Sequence, residues 1–166
     1  MKITNMEHLL VGELEDLYDA EQRLVKALPK MAEASSSPEL RAAFEGHLEE
    51  TKGHVGRLEQ VFTHIGEKVK AKTCEAMKGL IEEGNNVVSS IEKSPLRDAG
   101  LIAAANRVEH YEIAAYGSAR AFARMLGFQT SADTLERTLE EEKAADQKLT
   151  QIAENMVNQR AASSHA

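Results

Sequence analysis

Residues 101–122 read Leu101-Ile102-Ala103-Ala104-Ala105-Asn106-Arg107-Val108-Glu109-His110-Tyr111-Glu112-Ile113-Ala114-Ala115-Tyr116-Gly117-Ser118-Ala119-Arg120-Ala121-Phe122. Leu101, Ala105, Val108, Ala115, Ala119 and Phe122 recur at spacings of three and four. That spacing gathers them on one face of a helix, the face a helix buries. Glu112 falls on the same face, midway along it. A carboxylate inside a stripe meant for the core is the feature to follow outward. Two other segments repeat it. Leu10, Leu14 and Leu17 are followed by Glu21 and then by Leu24, Leu28 and Met31. Leu135 and Leu139 are followed by Glu142 and Asp146 and then by Leu149, Ala153 and Met156.

The rest of the chain agrees with a helical reading. Aromatic residues make up 4% of the 166 residues, Pro occurs three times and Trp is absent. Ala, Leu, Glu, Lys and Arg, the strongest helix formers, dominate, and period-two runs of β-branched residues are missing. The fold class is all-α. Lys plus Arg number 20 against 27 Asp plus Glu, a net charge of −7, so no basic surface is expected and a nucleic-acid binder is set aside. No run free of Asp, Glu, Lys and Arg reaches ten residues, which excludes a membrane-spanning helix. Cys74 is the one cysteine, so neither a disulfide framework nor a cysteine-based zinc site is available. A cytoplasmic protein is expected. No Ser-His-Asp set, P-loop or dinucleotide fingerprint is present.

Start and stop signals give four long helices and a short one. Thr4 with Glu7 forms a capping-box pattern opening a helix to about Ala34, with Pro29 expected to kink it. Ser37-Pro38 opens the second helix, which stops at Gly66. Thr73 caps a short helix to about Glu92. Ser94-Pro95 opens the third long helix, which stops at Gly127, and Thr130 or Ser131 caps the fourth, to about Asn158. Residues 1–160 form one domain, and the tail 161–166 is expected to fray. Helices one and two, and three and four, are joined by short turns and form antiparallel hairpins. The connection between the hairpins is long enough to cross the whole bundle, the ferritin-like arrangement. A gapless match of residues 47–52 with residues 138–143 is compatible with an internal repeat, and also with chance between two amphipathic helices.

In an antiparallel bundle the mid-helix carboxylates Glu21, Glu112 and Glu142 meet in one layer. Unpaired, they would repel and be costly to bury. Two solutions are open: a divalent cation, or a proton-sharing, water-containing polar core. The second helix adds His47, Glu50 and His54 on one flank, so that one of its histidines is expected to join the site. Glu109 lies one turn before Glu112 on the same side. The candidate metal ligands are Glu21, Glu50, His54, Glu109, Glu112, Glu142 and Asp146, with His47 the rival of His54.

Several segments carry a resemblance. Leu17-Tyr18-Asp19-Ala20-Glu21, His47-Leu48-Glu49-Glu50-Thr51, residues 76–83, residues 98–105, Val108-Glu109-His110-Tyr111-Glu112-Ile113-Ala114 and Thr138-Leu139-Glu140-Glu141-Glu142-Lys143 are similar to the YciF/YciE family of bacterial stress-associated proteins. The resemblance implies a ferritin-like four-helix bundle similar to rubrerythrin, and a homodimer. It supplies no substrate. Against the wider di-iron pattern, Glu21 and Glu112 match the lone glutamates, while both Glu-x-x-His motifs are absent. Glu50 is followed by His54 and Glu142 by Asp146, each four residues on. An oxygen-rich set suits iron or manganese, dinuclear in this pattern. The functions to separate are a dinuclear iron or manganese protein for peroxide or oxygen redox or iron handling, and a non-catalytic dimeric stress protein with a structural metal or none.

Overall fold

The computed structural model describes residues 2–163. Among them there are helices and no strands: α1 (Met6–Ala34), α2 (Pro38–His64), α3 (Glu75–Ser90), α4 (Pro95–Met125) and α5 (Gln129–Ile152). A π-helical turn (Ala153–Val157) carries α5 into α6 (Asn158–Ser163). The long helices pack in a ring, α1 on α2 and α4, α5 on α2 and α4. The hairpins are antiparallel, as the short turns require.

Several helix boundaries fall where the signals put them. Ser37 and Ser94 cap α2 and α4 with their side chains, each followed by Pro in the first turn. Gly66 and Gly127 end α2 and α4 at φ of +77° and +80°. Each leaves the next amide, Glu67 or Phe128, to reach back 2.9 Å to a carbonyl of the last turn. A side chain larger than hydrogen is strained there. Other caps differ from expectation. Asn5, not Thr4, caps α1, its carboxamide accepting from the His8 amide. Cys74, not Thr73, caps α3 through its sulfur. Neither Thr130 nor Ser131 caps α5: the helix starts at Gln129, directly behind Phe128, with no side-chain cap. Pro29 lies within an unbroken α1. Of the tail expected to fray, residues 161–163 continue α6 and Ala161 is buried, while residues 164–166 lie outside the described residues.

The crossover runs the length of the bundle. It leaves α2 beside the N-terminal half of α1, where the Lys72 amide bonds to the Glu15 carbonyl and the Cys74 amide to Asp19. It finishes at the other end of α1, where Lys93 reaches the Glu33 carbonyl. There Asp98, buried in the first turn of α4, accepts from the Ser36 amide, the Ser36 hydroxyl and the Ser37 amide at 2.6–2.8 Å. One carboxylate thus ties the α1–α2 turn to the start of α4.

The apolar core is divided in two. Leu10, Leu14, Leu17, Leu58, Phe62, Ala119 and Leu135 fill one end. Leu24, Leu28, Leu40, Phe44, Leu101, Val108 and Leu149 fill the other. Each buried leucine contributes about 1.5–3 kcal/mol relative to exposure. Between the two ends lies a layer of charged and polar side chains, reached by the midpoints of all four long helices.

Candidate metal centre

Heptad-like spacing puts Glu21 between Leu17 and Leu24, Glu112 between Val108 and Ala115, and Glu142 between Leu139 and Leu149. All three are 0% exposed. Glu109, one turn before Glu112, is buried beside it. α2 enters the layer with two histidines seven residues apart, His47 and His54, both buried. The spacing is two helical turns, so both imidazoles leave the same face. Between them Thr51 bonds back to the His47 carbonyl at 2.8 Å and offers the layer no charge.

The donor atoms converge as two groups. One is His47, Glu109, Glu112 and Glu142; the other is Glu21, His54 and Glu142; within each, one donor atom per residue lies within 4.8 Å of every other. Glu142 belongs to both, its two oxygens facing opposite ways. Oε2 lies 3.6 Å from His47 Nε2 and Oε1 lies 2.9 Å from His54 Nδ1. His47 Nε2 is 3.2 Å from Glu109 Oε1, and His54 Nδ1 is 3.3 Å from Glu21 Oε1. These approaches are close but poorly aligned. Both Glu112 oxygens, both Glu142 oxygens, one oxygen each of Glu21 and Glu109, and the inward nitrogen of each histidine are buried without a hydrogen-bond partner. An ordinary buried polar atom left this way costs about 1–3 kcal/mol. Gathering so many unpartnered donors in one layer is what a cation site requires.

The outer nitrogens are held. His47 Nδ1 lies 3.2 Å from Glu50 Oε2, and His54 Nε2 lies 2.9 Å from Glu141 Oε2. A carboxylate accepting the outer N–H fixes the ring and keeps that proton on the outer nitrogen, so the inner nitrogen is the one that can bind a cation once its own proton is displaced. Glu141 is itself clamped by Arg57 through both guanidinium nitrogens at 2.6 and 2.9 Å, which with His54 pulls its pKa to about 2. Glu50 is lowered by its bond to His47. Tyr116, fully buried, donates its phenol to Glu21 and sets its ring edge-on to His54.

Electrostatics state the same tension. Burial, then the carboxylates of Glu142, Glu21 and Glu109, push Glu112 well above its usual range. Burial raises Glu142 to about 7 against the pull of His54. Burial would lower His54, but Glu142 and Glu21 carry it up to about 10. With protons alone to balance the charge, the site holds on to them; four carboxylates and two imidazoles are a set that two divalent cations would neutralise.

Six of the eight residues singled out from the sequence come together: Glu21, His47, His54, Glu109, Glu112 and Glu142. Both histidines enter, where one was expected. Glu50 and Asp146 belong to neither group. Glu50 sits outside, behind His47. Asp146 accepts from Asn106 at 2.6 Å and lies 3.2 Å from the exposed His110. Glu141 and Tyr116 went unread. Tyr116 had a signal, four residues past Glu112 on the same face. Glu141 had none, since it lies off the stripe and is drawn in by Arg57 of another helix.

A family described as Domain of unknown function (DUF892) matches residues 5–162. Protein YciF of Escherichia coli (strain K12) is 49% identical over 162 residues, 97% of this chain and 98% of that protein. This chain belongs to the YciF family. The crystal structure of the E. coli stress protein YciF superposes with a TM-score of 0.91, covering 94% of this chain and 99% of that one. The structure of YcfI from Rhodopseudomonas palustris superposes with a TM-score of 0.87 at 43% identity, over 90% of this chain and 95% of that one. A protein from Xanthomonas campestris pv. campestris, 21% identical with a TM-score of 0.73 over 92% and 94%, shares the fold. The YciF family fold is the ferritin-like bundle, and the buried His/Glu layer of this chain could hold metal. Among the described residues no helix is long and apolar enough to cross a membrane.

Proposed function

We propose that this chain is a stress-associated dinuclear metal protein, holding two iron or manganese ions in the polar layer for chemistry on peroxide or dioxygen. The observation that carries the reading is Glu142, whose two oxygens serve two groups of donors. A carboxylate so placed suits a bridge between two cations. Glu109, Glu112 and His47 would complete one position, Glu21 and His54 the other. The donor set is rich in carboxylate oxygen with one imidazole per position, a hard set that suits iron or manganese. Such a centre would supply a redox couple and Lewis acidity toward a small oxidant. The protein's part is to keep the imidazoles in the right tautomer through Glu50 and Glu141. Tyr116 fixes Glu21, and apolar layers on both sides limit water.

Metal analysis after anaerobic purification tests the reading. Near two iron or manganese ions per chain, with an absorption spectrum that changes on adding peroxide, is the expected result. Substoichiometric, exchangeable metal without a redox spectrum would sink it and leave a non-catalytic helical stress protein.

A further inference from the structure

We infer that divalent cations reach the buried layer through one port, in the seam between α2 and α5, with Glu50 as the carboxylate that receives them. The inference rests on the metal reading above. A pocket of about 120 Å³ opens in that seam. His47 and Glu109 are in its wall, and each also carries a buried atom without a partner, His47 Nε2 and Glu109 Oε2. The seam opens there because the facing residues are small. Gly46 on α2 opposes Ala144 and Ala145 on α5, and a Cβ built on Gly46 meets nothing within 4 Å. Glu50 lines the same pocket, its side chain 51% exposed and one oxygen on His47 Nδ1. An arriving cation thus meets a hydrated carboxylate first. Next comes the imidazole which that carboxylate holds, and then Glu109. Each step exchanges water for a fixed ligand. The exposed Lys148, also on the rim, carries the opposite charge and moderates the approach.

Among the described residues, the pockets of about 140, 270 and 280 Å³ elsewhere on the bundle have none of the donor residues in their walls. One turn along from His54 the α2–α5 seam is shut by Arg57, bonded to Glu141 and to Thr138 at 3.2 Å. A pocket of about 140 Å³ enters between α1, α3 and α4, but Leu24, Leu80, Ile81, Val88 and Val108 line it, with no candidate ligand in its wall. A hydrated cation cannot shed its water against alkyl groups.

The test is stopped-flow loading of metal-free protein with Co²⁺, read by its visible absorption, with final stoichiometry and melting temperature measured alongside. Gly46→Leu is expected to slow loading at least tenfold while final Co²⁺ per chain and melting temperature hold. Glu50→Gln, whose amide oxygen still accepts from His47, is expected to slow loading and flatten its dependence on ionic strength. Ala27→Leu, which fills the apolar pocket on the opposite side, is expected to load like the parent. If Gly46→Leu loads at the parent rate, or Ala27→Leu is the slow variant, the port is misplaced although the metal site stands. If the parent takes up no Co²⁺, the metal reading fails and the port with it.

Discussion

At the scale of single residues the polar layer governs behaviour more than any apolar contact. Glu112 is the sharpest case: both oxygens lack partners, and each neighbour that acts on it pushes its pKa upward. Glu112→Leu is therefore expected to abolish metal binding, by elemental analysis, and to raise the melting temperature of the metal-free protein, as an apolar replacement of a buried charge often does. The pH dependence has a definite sign. Glu142 is raised from 4.5 to about 7, so the stability it contributes is present in acid and is lost as pH climbs to about 7. His54, raised from 6.5 to about 10, loses its contribution over that higher range. Both slopes run the same way. The chelated protein should melt at steadily lower temperature between about pH 5 and pH 9, while added metal stabilises more as pH rises, since binding displaces those protons. A chelated form that becomes more stable toward alkaline pH would contradict this. Glu141→Ala should weaken metal binding by about 10–100-fold without touching a donor, because His54 loses the partner that fixes its ring; a titration calorimeter can read the change. Glu21, Glu112 and Glu142 were legible as buried because each interrupts a stripe. The part played by Glu141 was not, because its place depends on Arg57, a residue on another helix.

At the scale of elements, the boundaries show what short-range signals can say. Ser-Pro starts and Gly stops were legible because their cause is local: a missing amide, or a backbone turn only glycine takes easily. The caps of α1, α3 and α5 were misread because hydroxyl residues stood one to three places from the true start. Which residue caps depends on where the chain arrives, and for α3 that is set by Asp19 holding the Cys74 amide across to α1. Asp98 is the clearest long-range case. Its sequence context reads as a favourable charge in a first turn, yet its carboxylate accepts three bonds from the α1–α2 turn. Asp98→Ala is expected to cost about 3 kcal/mol, as charged acceptors with buried donors do, measured by urea denaturation. Ser37→Ala, losing a cap alone, should cost about 1 kcal/mol. Equal losses from the two would show that the carboxylate does no more than cap a helix.

At the scale of the whole molecule the ferritin-like topology was legible from connection lengths, since two short turns and one long crossover leave few arrangements. Association was not legible in that way. The family resemblance implies a homodimer, and light scattering at micromolar concentration is expected to give twice the 18.2 kDa chain mass; the single-chain mass at that concentration would oppose it. The two groups of donors in the polar layer are unequal. One group gathers four donors and the other three, with Glu142 counted in both. Unequal shells imply unequal affinities, so two ions should enter in sequence rather than together. A substoichiometric dose of one metal followed by a second element should then yield a mixed-metal protein with each element at its own address.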